Sequence, residues 1–189
     1  MRLSLLLVGI CFSSIVFAQA PQRFPSLDKS PLDISYFPPN FPVAKVQPTR
    51  MQEPLIARVI YSRPQKMGRN VFSELVEKGK VWRLGANEAT EIEFFREVRI
   101  GTKKIKKGRY TLYAIENDSS WTLILNRELD VWGAFKYSAE RDEVRFECPV
   151  VMTGEIIEAF TMVFEKTGEK AMQLVIAWDD RMVALPIRW

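Results

Sequence analysis

From Leu55 onward the chain alternates apolar and polar residues with a period of two. In "TEIEFF" Thr90, Ile92 and Phe94 share one face, with Glu91 and Glu93 on the other. "EVRFEC" over 143–148 alternates in the same way. So do Trp121, Leu123 and Leu125, and likewise Phe160, Met162 and Phe164. Leu174, Ile176 and Trp178 continue the pattern, followed by Val183, Leu185, Ile187 and Trp189. A period of two is the mark of half-buried strands. The turn signals "KKG", "ENDSS", "ERDE", "KTGEK" and "WDDR" separate the runs. The spacing predicts about eight to ten strands and a mostly β fold, a single antiparallel sandwich or barrel-like domain over 55–189. One short helix is expected at "NVFSELVEKG" (70–79), with Asn70 as its cap and Gly79 as its stop.

Upstream the pattern changes. Eight of the eleven prolines lie between Pro21 and Pro54. That density predicts an arm over 19–54 without helix or sheet ladders. Tyr36, Phe37 and Phe41 set it apart from a free linker, since disordered proline-rich chain is poor in aromatics. Two readings stand: an extended arm lying against the domain or a partner, or a tether that only spaces the domain.

The first residues, "MRLSLLLVGICFSSIVFAQA", carry Arg2 and then an apolar run from Leu3 to Phe17. A membrane span needs roughly 20 such residues, so this run is too short. It reads as a signal peptide over 1–18, cut after Ala18, although a cut after Ala20 also fits. The expectation is an exported protein, periplasmic or extracellular, with no transmembrane segment in the mature chain. Cys11 falls in the leader, which leaves Cys148 unable to form an internal disulfide. Its strand parity with Val144 and Phe146 predicts a buried, inert thiol.

Composition narrows the chemistry. There is no histidine, which removes Ser-His-Asp and Cys-His catalysis and every histidine-based metal site. No phosphate-cradling glycine loop or dinucleotide fingerprint is present. "ENDSS" and "WDD" offer oxygen ligands without the spacing of a calcium loop. No cofactor and no metal are therefore expected. The net charge is +4, and the one basic cluster runs from Lys103 to Arg109. Lysines there suit a solvated strand edge better than a nucleic-acid surface.

The densest polar stretch is "VWRLGANEAT", Val81 to Thr90. Gly85 and Asn87 suit a structured turn. With the parity of Ile92, Glu88 would point inward and need a partner, which Arg63, Arg69 or Arg83 could supply. Such a pair can serve as a structural clasp or read a ligand. Trp82 and Trp132 lie outside the clean strands and are expected to be exposed platforms, whereas Trp121, Trp178 and Trp189 are expected inside.

"YSRP" (61–64), "GR" (68–69), "GKVWRLGANEAT" (79–90), "GRYTLYAI" (108–115), "WTLILN" (121–126) and "WGAFKY" (132–137) together resemble the bacterial domain-of-unknown-function family numbered 2911. The arm segment "SPLDISYFPPNFPVAKVQ" is similar to one branch of it. The resemblance implies an exported, mostly β envelope protein and carries no activity with it. The chain departs from the family pattern at Glu77-Lys78 and Lys107-Gly108, both in turns.

The functional expectation is a non-catalytic envelope module binding a small or saccharide ligand, or a partner protein through the arm. Its rim would be Arg63, Arg69, Trp82, Arg83, Asn87, Glu88, Asn126 and Trp132. The alternative is a carboxylate-dependent hydrolase of glycans with Glu88 as the catalytic residue.

Overall fold

The computed structural model describes residues 24–47, 49 and 53–189. The expected signal peptide over 1–18 lies outside them. Two antiparallel sheets face one another across a shared apolar core. The strands are β1 (Leu32–Phe37), β2 (Ala57–Ser62), β3 (Val81–Trp82), β4 (Glu91–Phe94), β5 (Val98–Ile100), β6 (Lys103–Ile105), β7 (Gly108–Asn117), β8 (Ser120–Asn126), β9 (Asp142–Pro149), β10 (Val151–Gly168) and β11 (Ala171–Arg188). The larger sheet runs β1-β2-β4-β7-β8-β9, with β3 paired to β7; the smaller runs β10-β11-β5-β6. The mostly β sandwich expected from the alternation is the observed fold. Eleven strands among the described residues slightly exceed the expected count, because β3, β5 and β6 are too short to show a period.

The inward positions read from the alternation are the buried ones. Thr90, Ile92 and Phe94 are sealed, as are Trp121, Leu123, Leu125, Phe160, Met162, Phe164, Leu174, Ile176 and Trp178. At the centre, Trp82 of β3 meets Trp121 edge-on at 5.6 Å and Phe160 at 5.3 Å, and stacks on Trp178 at 6.0 Å with planes 17° apart. Such pairs contribute about 0.5–1.5 kcal/mol each beyond the area they bury. Trp82 comes from the larger sheet, Phe160 and Trp178 from the smaller, so this cluster joins the layers.

Four expectations are corrected. The arm does form a ladder: β1 pairs antiparallel with β2 from Leu32↔Ser62 to Phe37↔Ala57. Its prolines fall outside the paired residues, at Pro31 and Pro38, so no ladder amide is lost. A short helix, α1 (Phe41–Val46), follows, with proline in its first turn where a missing N–H costs nothing. The helix expected over 70–79 is only a π-helical turn, Val71–Leu75. Asn70 does not cap it through its side chain; the Val71 N–H donates instead to Asp179 Oδ2 at 3.2 Å. The "WDDR" turn is absent, because β11 runs straight through it. Asp179 takes a left-handed φ of 54°, a conformation aspartate tolerates, and its carboxylate also pairs with Lys66 at 2.9 Å. The lysines of β6 lie on an edge strand, with Lys103 and Lys104 exposed.

Phe37, 1% exposed, packs against Trp189 at 5.3 Å and Phe164 at 6.4 Å. Phe37→Ala should therefore cost about 3–5 kcal/mol in denaturant unfolding, like other buried phenylalanines. A loss below about 1 kcal/mol would mean that the arm only rests on the domain.

Cys148 is fully buried, and burial, with the Glu147 charge second, pushes its thiol from 9.0 up to about 12. Below pH 9 both folded and unfolded chains keep the proton, so the thiol has no pH effect. Between about 9 and 12 only the unfolded chain ionises there, and stability falls as pH rises. Cys148→Ala should flatten that slope, and the native thiol should react with a disulfide reagent only on unfolding. Equal reaction rates for folded and unfolded protein would contradict this.

Candidate functional site: a cation-lined cleft

The Val81–Thr90 stretch leaves β3 and returns into β4 by a loop pinned on three sides. Thr90 N–H donates to Arg83 O at 3.1 Å, and the Thr90 hydroxyl donates to Leu84 O. Ser62 Oγ donates to Ala86 O and accepts from the Ala86 N–H at 2.9 Å. On the third side, Ala89 N–H donates to Val131 O and Gly133 N–H to Asn87 O, at 3.0 and 3.1 Å. Leu84, Gly85 and Asn87 all take positive φ, at 55°, 135° and 58°. Three such residues in a row of four break the strand parity that would have aimed Glu88 inward.

The structure corrects several site assignments accordingly. Glu88 is exposed, forms a bridge with Trp132, and has no arginine partner among the described residues. Trp82 is no platform; it is 8% exposed and belongs to the central aromatic cluster, its Nε1–H directed to Gly85 O at 3.3 Å. Asn126 is buried, not on a rim. Its amide donates to Ser138 O and Asp142 Oδ1 at 2.9 and 2.8 Å, bracing the loop after β8. Arg63 braces the arm: it pairs with Asp33 at 3.0 Å and donates to Phe160 O and Thr161 Oγ1. Trp132 is exposed as expected, at 61%, and sits beside Asn87 and Glu88 across the small ladder between the two loops.

Arg69, Trp82 and Arg83 do come together. They line a cleft of about 230 Å³ with Ser30, Pro64, Leu75, Gly85, Ala86 and Trp178. Ser30, Pro64, Leu75 and Trp178 went unnoticed in the sequence as site residues, since Trp178 has strand parity and reads as core. Ser62, which clamps the rim, stands in "YSRP" beside Arg63 but has no pattern that marks it as a clamp. Arg69 is held by its own turn, donating from Nε to Lys66 O at 2.8 Å and from Nη2 to Gln65 O at 2.7 Å. Arg83 is different. Its Nε is sealed from solvent with no hydrogen-bond partner among the described residues, and no ion pair there involves it. Burial pushes its guanidinium below the ordinary value, and an arginine nevertheless keeps its charge. The cleft thus carries two guanidinium groups and no acidic lining residue. Such a site can receive an anion or an array of hydrogen-bond acceptors.

A second cleft, also about 230 Å³, contains Glu88, Glu91, Asp130 and Arg109 beside Tyr61 and Val131. Arg109 holds both Glu91 and Asp130 there. Among the described residues no group of three or more His, Cys, Asp and Glu is placed to hold a metal, and no helix is long and apolar enough to cross a membrane.

Fold and site together define a two-sheet antiparallel β-sandwich with a small cationic cleft at the point where β3 leaves the larger sheet. The chain belongs to the family described as Protein of unknown function (DUF2911), whose model matches residues 44–187. No curated protein and no solved structure matches it.

Gly85 should be the least replaceable residue of the rim. An added Cβ would stand 2.9 Å from Ser62 O, at a φ of 135° that side chains rarely adopt. Gly85→Ala is expected to cost about 1–3 kcal/mol from backbone strain alone. Thermal and urea melts that match the parent within about 0.5 kcal/mol would show that the rim yields freely.

Proposed function

We propose that this protein is an exported, non-catalytic module of the bacterial envelope that holds a small ligand in the cleft between Arg83 and Arg69. Export rests on the leader-like first residues. Binding rests on one observation above all: the Arg83 guanidinium, partly buried in a cleft with no carboxylate, and partnerless among the described residues. Buried polar groups are nearly always bonded, and an orphan calls for an absent ion, water or ligand. The cleft is concave and carries a few directed polar groups, as ligand sites do, although its lining is more polar than most.

The two other readings draw less support. A hydrolase built on Glu88 needs a second carboxylate free to give or take a proton. Glu91 and Asp130, its neighbours in the second cleft, are both engaged by Arg109. A partner docking through the arm would have to use what β1 leaves over, since Leu32–Phe37 is already seated against β2.

The test is a thermal-shift screen of organic acids, glycans and divalent ions on the mature chain, alongside Arg83→Met. A ligand at a hundred times its dissociation constant adds about 2.7 kcal/mol of stability. The expected result is a stabilising ligand whose effect vanishes in Arg83→Met, while the unliganded variant melts at or above the parent because an unpaired buried charge is gone. A screen without stabilisation, or with the same stabilisation in both proteins, rejects the cleft as a ligand site.

A further inference from the structure

We infer that the ligand is a small organic acid, its carboxylate received by the Arg83 and Arg69 guanidinium groups and its carbon body held by the small apolar area of the same cleft. The inference rests on the binding function proposed above and names the chemistry of its ligand. Charge comes first: the lining holds two arginines and no acidic residue, so an anion entering it meets attraction from both.

Donor geometry narrows the anion. Arg69 uses Nε and one Nη2 hydrogen on the carbonyls of Lys66 and Gln65. Those two bonds fix the plane of its guanidinium and leave the edge between Nη1 and Nη2 open, which is a bidentate carboxylate edge. Arg83 gives no side-chain hydrogen bond to any described residue, and with its Nε sealed from solvent the edge between its two Nη atoms is the one left to a ligand. The rim backbone contributes less, since one of its amides is already engaged. Ala86 N–H is held by Ser62 Oγ. Sites for phosphate and sulfate lean on free backbone amides at helix N-termini or nests. Here the donors at hand are two planar forks, which match the two coplanar oxygens of a carboxylate.

The walls and the size fix the rest of the ligand. Trp82 and Trp178 stack on one another and are 8% and 2% exposed, so they offer the cleft only a narrow margin beside Pro64 and Leu75. Ser30 is the one neutral polar side chain in the lining, which leaves few partners for a polyhydroxylated ligand. A volume of about 230 Å³ corresponds to roughly eight waters at about 30 Å³ each, the scale of a single ring bearing one carboxyl group.

The experiment is calorimetric titration of the mature protein with a panel of aromatic and alicyclic monocarboxylic acids, their matched amides, inorganic phosphate and neutral monosaccharides. Arg83→Gln and Arg69→Gln run in parallel, with folding of each checked by its melt. At least one acid should bind, its amide at least tenfold more weakly, and each variant should lose tenfold or more for the acid. Arg69 is exposed on its turn, so Arg69→Gln carries the test should Arg83→Gln fold poorly. Equal binding of acid and amide, tighter binding of phosphate, or no binding by any acid overturns the inference. A neutral sugar bound by the parent and lost in Arg83→Gln would overturn it while leaving the binding function intact. No binding by any probe in this panel or in the thermal-shift screen would remove both.

Discussion

The aromatic contact between the two sheets is the constraint on which the other features rest. Trp82 stands on the shortest strand of the larger sheet, paired to β7 at only Val81↔Ile115 and Trp82↔Ala114. Two ladder positions would not hold a strand in place on their own. Its indole does so, wedged among Trp121, Phe160 and Trp178. By fixing Trp82, the cluster also fixes the next residue. Arg83 must leave the core at the point where the chain turns, and the Ser62 clamp then determines how tightly the turn closes. The cleft is in this sense the outer surface of the core, since Trp82 and Trp178 belong to both.

Much of the sandwich was legible in the sequence because strand side chains alternate and the buried face carries large apolar residues. The stretches that misled did so for definable reasons. The pattern of "NVFSELVEKG" is helical, but Val76 turns away into extended backbone and the segment closes after one π turn. The β1 ladder was hidden by prolines that flank the paired residues without entering them. Parity counted back from Ile92 placed Glu88 inside, and positive φ at Leu84, Gly85 and Asn87 cancelled the count. No periodicity argument reports such dihedrals, although Gly and Asn hinted at two of the three.

For the candidate site, the sequence marked the stretch that lines the cleft and misread its internal pairing. An arginine and a glutamate within five residues suggested an ion pair. The actual clasp is made of hydroxyls and backbone, from Ser62 and Thr90, which are small and common and so attract little notice. Because the clasp needs no charge, Arg83 is released from structural duty. Arg63 and Asn126 show the opposite outcome: polar residues in prominent motifs whose hydrogen bonds are all directed to the fold itself.

The place of β11 has a consequence for assembly. It lies between β10 and β5 in the smaller sheet, reaching β5 at Arg188↔Arg99, and it carries Trp178. It is thus an interior strand, and its pairing at Arg188↔Arg99 spans 89 residues of chain. Pairings so distant in sequence are slow to form, since loop closure is met before the contacts that reward it. Until β11 is in place, the cover that Leu174, Ile176 and Trp178 give the shared core is missing. The cleft has no second tryptophan before that moment, so its walls and the completion of the fold are reached in the same step.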